Sequence, residues 1–380
     1  MVQTPIIPVV EQWIKKNPGT ISLGQGMVHY GPPPLALERM NQALQDPKIH
    51  QYGPGAGTAE LLDLVGQKLK KENQIILSCE SQIVVTAGAN MAFMYALLAI
   101  TNPGDEIILQ SPYYFNHEMA ITMASCKTVL IPTDSQYQLQ TEKIREAITD
   151  RTRAVVTVSP NNPTGAVYPE ESLREVNQIC QDANIYHISD EVYEYFNYDG
   201  AVHFSPGSLE GAGESTISLF SLSKAYGFAG WRIGYMTAPQ HLLGAIRKIQ
   251  DTILICPTLV SQYAAIGALE VGAGYCKEHL KSLAEVRDLV FEALGLLGER
   301  VRIPKTQGAF YAFIKVENVK DPVELARQLI ENFQVAAVPG SAFGLEKGAY
   351  LRVSYGALKR DTVAEGIGRL VKGLRQLTDI

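Results

Sequence analysis

The chain has 380 residues, more than the roughly 250–300 at which a single core usually stops growing, so two domains are expected. Hydrophobic residues make up 46 % and charged residues 19 %, the balance of a folded globular protein rather than a disordered one. A net charge of −6 with no basic stripe argues against a nucleic-acid partner. Five scattered cysteines (Cys79, Cys126, Cys180, Cys256, Cys276) without a Cys-x-x-Cys pair point to a reducing, cytoplasmic setting, and the dispersed histidines offer no metal-ligand spacing.

In chain order, Met1–Asn17 carries only a short apolar stretch around Ile6–Val10, interrupted by Pro8 and followed by Glu11. It reads as neither a signal peptide nor a membrane span. Thr58–Lys71 is predicted helical with Thr58 as N-cap. Ile83–Thr86 is a short strand ended by Gly88, Met91–Ile100 a helix, and Glu106–Gln110 a strand stopped by Pro112. Further strands are expected at Ala154–Ser159, Ile185–Ser189 and Thr216–Leu222, with a helix from about Pro169 to Ala183. Strands that are apolar throughout and separated by helices suit a mostly parallel sheet covered on both faces. After about residue 285 the texture changes: a long helix leads to a strand at Gly308–Val316, a helix starts at Asp321-Pro322, and Tyr350–Tyr355 is a strand before a final helix. The expectation is an α/β large domain over 45–285 and a smaller α+β domain from 1–44 and 286–380, including an N-terminal arm.

Ligands of open α/β sheets bind beyond the carboxyl ends of the strands. Reactive residue types follow five predicted strands in succession: Gly88-Ala89-Asn90, Tyr113-Tyr114, Asn161-Asn162, Asp190 with Tyr193, and Ser221-Leu222-Ser223-Lys224. Lys224 stands at the mouth of an apolar strand, where desolvation can strip its proton and leave an amine nucleophile able to form a Schiff base. Taken singly, each has an ordinary reading: a solvated lysine, serines capping a strand end, Asp190 in a turn, Asn162 in an Asn-Pro turn.

The run from Ser221 to Tyr235, Ser-Leu-Ser-Lys-Ala-Tyr-Gly-Phe-Ala-Gly-Trp-Arg-Ile-Gly-Tyr, closely resembles the cofactor-lysine segment of class I aminotransferases, the fold-type-I pyridoxal-phosphate family. The resemblance runs from Leu23-Gly24-Gln25-Gly26 to Leu351-Arg352-Val353-Ser354. It implies pyridoxal 5'-phosphate held by Lys224 as a Schiff base, with Lys224 also moving the proton at the substrate α-carbon. It implies Ser221, Ser223, Arg232 and the helix start at Ala89 and Asn90 as phosphate ligands, in keeping with the affinity of hydroxyl donors, a guanidinium fork and helix N-termini for anions. By the same resemblance Asp190 pairs with the pyridine nitrogen, Tyr193 and Asn162 bond the cofactor's phenolic oxygen, and Tyr113 stacks on the ring, with adjacent Tyr114 as the alternative. Gly26, Asn162 and Arg352 match substrate-binding positions, Arg352 as the fork for the α-carboxylate. Tyr52 matches a tyrosine that reaches the phosphate of a neighbouring subunit, which implies a homodimer.

The substrate is less legible. The segment Thr252–Thr258, expected to approach the pocket, offers no cation for a side-chain carboxylate, and Met27-Val28-His29-Tyr30 and the Tyr113–His117 turn are aromatic and apolar. The expected donor is therefore an aromatic amino acid or methionine, with a 2-oxo acid as acceptor, as in the aromatic, methionine and kynurenine branch that the chain resembles. The Met27–Tyr30 loop departs from the commoner Pro-Asp-Phe pattern, and Asn90 stands where several relatives carry an aromatic. A lyase or synthase could use the same lysine, aspartate and arginine, because the cofactor stabilises the carbanion and the protein selects the bond that breaks. Aspartate-type transfer is a further alternative. A nicotinamide enzyme is disfavoured by the lack of Gly-x-Gly-x-x-Gly after the first strand, and a P-loop by the lack of Lys-Ser/Thr after the Gly53–Gly57 run.

Overall fold

The computed structural model describes residues 6–78 and 82–378, so Cys79 and the first five residues lie outside the described residues. Seven strands form one sheet in the spatial order 83–86, 234–237, 216–221, 186–190, 152–158, 106–111, 127–132. Six run parallel, and Gly234–Thr237 runs antiparallel between Ile83–Thr86 and Thr216–Ser221. Both faces are covered. Ile217 and Leu219 join Ile107, Val156 and Ile188 beneath the helices Ala89–Ile100 and Leu243–Ile253, while Phe220 and Val85 pack on the other face. Burial on both faces explains why the inner strands read as continuous apolar runs.

Two strands of this sheet escaped the sequence reading, for physical reasons. Lys127–Pro132 is the sheet edge, mostly exposed or half-buried with Ile131 alone buried, so its short apolar run Val129–Ile131 is not a fully buried core strand. Gly234–Thr237 is only four residues long. It also settles the place of Arg232: an antiparallel strand begins at the edge where the others end, with Gly234 paired to both Ser221 and Thr86.

A second sheet of four antiparallel strands has the order 338–339, 349–354, 311–316, 301–302, flanked by helices Pro322–Phe333 and Arg360–Thr378. Asp321 caps the first of these helices, its carboxylate accepting from the Val323 and Glu324 N–H groups. The strand expected from Gly308 starts at Tyr311, because Gly308 instead bridges Asn197. Thr58 precedes its helix, Ala59–Glu72, but its side chain makes no cap; its N–H donates to Gln262 Oε1 at 2.8 Å. Pro8 does not interrupt Ile6–Lys16, which is helical throughout, because a proline in the first turn removes no intrahelical bond. From that helix the chain runs along the small sheet: Ile21 pairs with Val335, and Ser354 N–H donates to the Leu23 carbonyl. This path delivers Gly26 to the edge of the large sheet.

Among the described residues no helix is long and apolar enough to cross a membrane.

Candidate active site

Five parallel strand ends and the start of the antiparallel strand converge on a cavity of about 380 Å³. At its centre Thr216–Ser221 gives way to a single helical turn, Leu222–Ala225, capped by the Ser221 side chain, which accepts from the Ser223 N–H at 3.1 Å. This turn projects Lys224 into the cavity, where Nζ donates to the Gly26 carbonyl. Burial, helped by the charges of Arg352 and Arg232, pulls the Lys224 pKa down to about 8. A substantial fraction is then the neutral amine near pH 8, the form that attacks an aldehyde.

Beside it lies an anion cradle. Ser221 Oγ donates to Ser223 Oγ at 2.9 Å, and the Arg232 guanidinium reaches Ser223 Oγ at 3.5 Å and the Ala87 carbonyl at 3.3 Å. Opposite, the helix Ala89–Ile100 begins at Ala89 and Asn90, and its first N–H groups precede the helix's own hydrogen-bond ladder. Gly88 is required there: its φ is +82°, and a Cβ would sit 2.6 Å from Arg232 Nη2. Hydroxyls, a guanidinium fork and a helix N-terminus together are the donor set of a phosphate.

Across the cavity, Asp190 ends its strand buried, with Oδ2 3.1 Å from His117 Nε2 and Oδ1 accepting from the Val192 N–H at 3.2 Å. Tyr193 and Tyr311 share a hydroxyl–hydroxyl hydrogen bond of 2.6 Å, and burial raises both pKa values, so both stay protonated as donors. Arg352, on the strand Ala349–Ser354, gives Nη1 to Asn162 Oδ1 at 2.9 Å and Nη2 to the Gly24 carbonyl at 2.7 Å, while its buried Nε has no partner. Its guanidinium lies over the rings of Tyr311 and Phe343, at 4.7 and 5.0 Å. A buried fork with a spare donor fits an incoming carboxylate.

Of the residues singled out from sequence, Gly26, Ala89, Asn90, Asn162, Asp190, Tyr193, Ser221, Ser223, Lys224, Arg232 and Arg352 all line this one cavity. Tyr113 does not. Its ring packs against Gly344, and the cavity position falls to Tyr114, whose hydroxyl accepts from Asn116 at 2.7 Å and which meets His117 edge-on. Tyr114, the alternative named from the sequence, is thus the tyrosine that lines the cavity. Tyr52 is 81 % exposed and outside the cavity of its own chain. Thr252–Thr258 is outside it too; its Ile253, Leu254 and Ile255 are exposed instead.

Three contributions were missed. His117 follows Tyr114 at helical i+3 spacing, which could have marked it as sharing the cavity face. Tyr311 carried no signal beyond strand alternation. The helix Ile6–Lys16 presents Ile7, Val10, Glu11 and Ile14 to the cavity at the spacing i, i+3, i+4, i+7 of one helical face, a pattern hidden by reading Pro8 as a break. Replacing His117 with Phe, which keeps the stack on Phe93, removes the partner of Asp190. The expected result is cofactor affinity weakened roughly 10-fold, the scale of one hydrogen bond to a charged group, measured by equilibrium dialysis.

A desolvated lysine, a phosphate cradle and a buried carboxylate at the C-terminal edge of a mostly parallel sheet define a fold-type-I pyridoxal-phosphate enzyme. The chain belongs to the aminotransferase class I and II family, whose profile matches residues 18–370. It is 36 % identical to the aromatic aminotransferase ISS1 of Arabidopsis thaliana, covering 98 % of this chain and 94 % of that protein. It is also 36 % identical to a probable aspartate/prephenate aminotransferase of Aquifex aeolicus, covering 95 % and 93 %. The crystal structure of an aromatic aminotransferase from Pyrococcus horikoshii OT3 superposes with a TM-score of 0.89 at 33 % identity, covering 97 % of this chain and 99 % of that one. The protein is thus an aminotransferase that uses pyridoxal 5'-phosphate.

Proposed function

We propose that this aminotransferase moves the amino group of an aromatic amino acid or methionine to a 2-oxo acid. The observation that carries the reading is the apolar share of the cavity wall: Ile7, Val10, Ile14, Met27, Phe115 and Val338 line it, and its three cations, Lys224, Arg232 and Arg352, are each assigned to the aldehyde, the phosphate or the α-carboxylate. A second carboxylate on the substrate would find no partner among them. The presence of both aromatic and aspartate/prephenate enzymes among the relatives keeps aspartate as the competing donor.

In this reading each polar residue has one task. Ser221, Ser223, Arg232 and the N–H groups of Ala89 and Asn90 hold the phosphate. When bound, pyridoxal phosphate supplies an aldehyde for the amino group and a ring that takes up the electrons released at the α-carbon. Asp190, fixed by His117, holds a proton on the ring nitrogen, which keeps that ring electron-poor. Tyr193 and Asn162 would donate to the cofactor's phenolic oxygen, and Tyr114 would supply an aromatic wall beside it. Arg352 would fix the α-carboxylate and so orient the α-C–H bond, and Lys224 Nζ, free of its proton by desolvation, would accept and later release the α-proton.

The chain divides, in this proposal, into a cofactor-binding domain over 45–285 and a smaller domain from 1–44 and 286–380, and it works as a cytoplasmic homodimer. The exposed Tyr52 and the exposed apolar Ile253, Leu254 and Ile255 form the contact, where Tyr52 of one protomer meets the cofactor phosphate of its partner. Substituting Tyr52→Phe is expected to weaken cofactor binding by about 10-fold while the dimer persists, because one hydrogen bond to a charged oxygen is lost. Unchanged affinity, or a monomer in sedimentation, counts against the shared site.

The direct test offers phenylalanine, methionine and aspartate to the holoenzyme with and without a 2-oxo acid. Keto acid from phenylalanine or methionine only when acceptor is present supports the proposal. Faster turnover of aspartate overturns the donor assignment, and ammonia released without acceptor points to a lyase.

A further inference from the structure

Five charged side chains line the cavity: Glu11, Asp190, Lys224, Arg232 and Arg352. On the proposed reading four are engaged, by the ring nitrogen, the aldehyde, the phosphate and the α-carboxylate. Glu11 is left over. It sits on the N-terminal helix in the middle of the otherwise apolar stripe Ile7, Val10, Ile14, which on the proposed reading faces the substrate side chain. The helix is seated by Val10 against Ile330 and Ala336, so the stripe has a fixed orientation. Glu11 lines the cavity while remaining solvent-exposed; among the described residues no ion pair neutralises it, and Lys15, one turn later and also exposed, is outside the cavity lining.

We propose that Glu11 is a specificity-determining residue that rejects substrates bearing a second carboxylate. A side-chain pocket of apolar groups is tolerant, since one methylene shifts selectivity only about 10–200-fold and shape alone discriminates weakly. A fixed like charge supplies the missing discrimination by repulsion rather than by a better fit to the preferred substrate. Donor and acceptor occupy the same cavity in alternation, so the repulsion acts on both halves of the reaction. The acceptor class that follows is a monocarboxylic 2-oxo acid, with 2-oxoglutarate and oxaloacetate disfavoured. This inference rests on the donor assignment proposed above.

The test uses holoenzyme carrying Glu11→Gln or Glu11→Arg, with Glu38→Gln, an exposed charge outside the cavity, as control. Two readouts are taken: the ratio of kcat/KM for aspartate to that for phenylalanine, and the dissociation constants of succinate and 3-phenylpropionate, followed by the absorbance of the bound cofactor. Removing a like charge several ångströms away in partly solvated surroundings is expected to raise the aspartate/phenylalanine ratio on the order of 10-fold. Charge reversal in Glu11→Arg raises it further, and succinate binding tightens in parallel. Ratios within about twofold of wild type in both Glu11 variants overturn the proposal, as does an equal change in Glu38→Gln, the result of a diffuse surface field. The two failures are separable. Wild-type preference for aspartate refutes the donor assignment, whereas unresponsive ratios in the Glu11 variants refute the role of Glu11 alone.

Discussion

Replacing Lys224 with Met is expected to abolish amino transfer and at the same time to stabilise the cofactor-free protein below pH 8. The activity loss should be roughly 10⁴-fold or more, the upper end of what one acid–base side chain contributes, because the same amine also anchors the cofactor. Borohydride followed by peptide mapping should label Lys224 in the wild type and no lysine in the variant. The stability gain comes from the same desolvation that activates the amine. In the folded protein the Lys224 pKa is held at about 8, against an ordinary 10.5, so the fold disfavours the protonated form. Below pH 8 the lysine is charged in both states, and the fold bears the whole penalty, on the order of 3 kcal/mol at 1.36 kcal/mol per unit. Between pH 8 and 10.5 the unfolded chain binds more protons than the folded one, so wild-type stability rises with pH and the advantage of Met shrinks. Above 10.5 it should vanish. Urea denaturation of both apo proteins at pH 7 and pH 11 tests this, and a gain that does not depend on pH refutes the link to ionisation.

Legibility followed how each element is stabilised. Buried parallel strands are apolar throughout, so five runs stood out, and with them the residues at or just beyond their ends: Asn90, Asn162, Asp190, Ser221 to Lys224. Asp190 is placed by strand length alone. What failed depends on contacts remote in sequence. Tyr113 and Tyr114 are equivalent in sequence, and only the packing of Tyr113 on Gly344 decides which ring enters the cavity. Tyr311 meets Tyr193 across 118 positions, a pairing that no local pattern encodes. The N-terminal helix was misread because Pro8 was treated as a breaker rather than as a first-turn residue, and Glu11 disappeared with it. The site is therefore legible where one backbone edge organises it, and illegible where the small sheet and the N-terminal helix close over that edge.

Substituting Arg352 should separate substrate binding from cofactor binding. Arg352 is 3 % exposed, its guanidinium held by Asn162 and the Gly24 carbonyl, with Nε unpaired and aromatic rings on its flank. A carboxylate arriving there exchanges water for a charge-assisted fork in a low-dielectric pocket, and loss of one partner from such a buried pair costs about 2–5 kcal/mol. Arg352→Ala is thus expected to lower kcat/KM for phenylalanine by roughly 10²–10³-fold, while cofactor affinity changes little, since Arg352 faces the substrate rather than the phosphate cradle. Arg352→Lys restores the charge but not the planar fork, and should recover only part of the loss. The decisive control is 2-phenylethylamine, which has the phenylalanine side chain but no carboxylate. If Arg352 acts through the carboxylate, the large wild-type preference for phenylalanine over this amine should collapse in Arg352→Ala, with activity toward the amine reduced far less than activity toward phenylalanine. If both substrates lose activity equally, Arg352 instead supports the cavity through Asn162 and Tyr311, and the substrate's α-carboxylate must find its cation elsewhere.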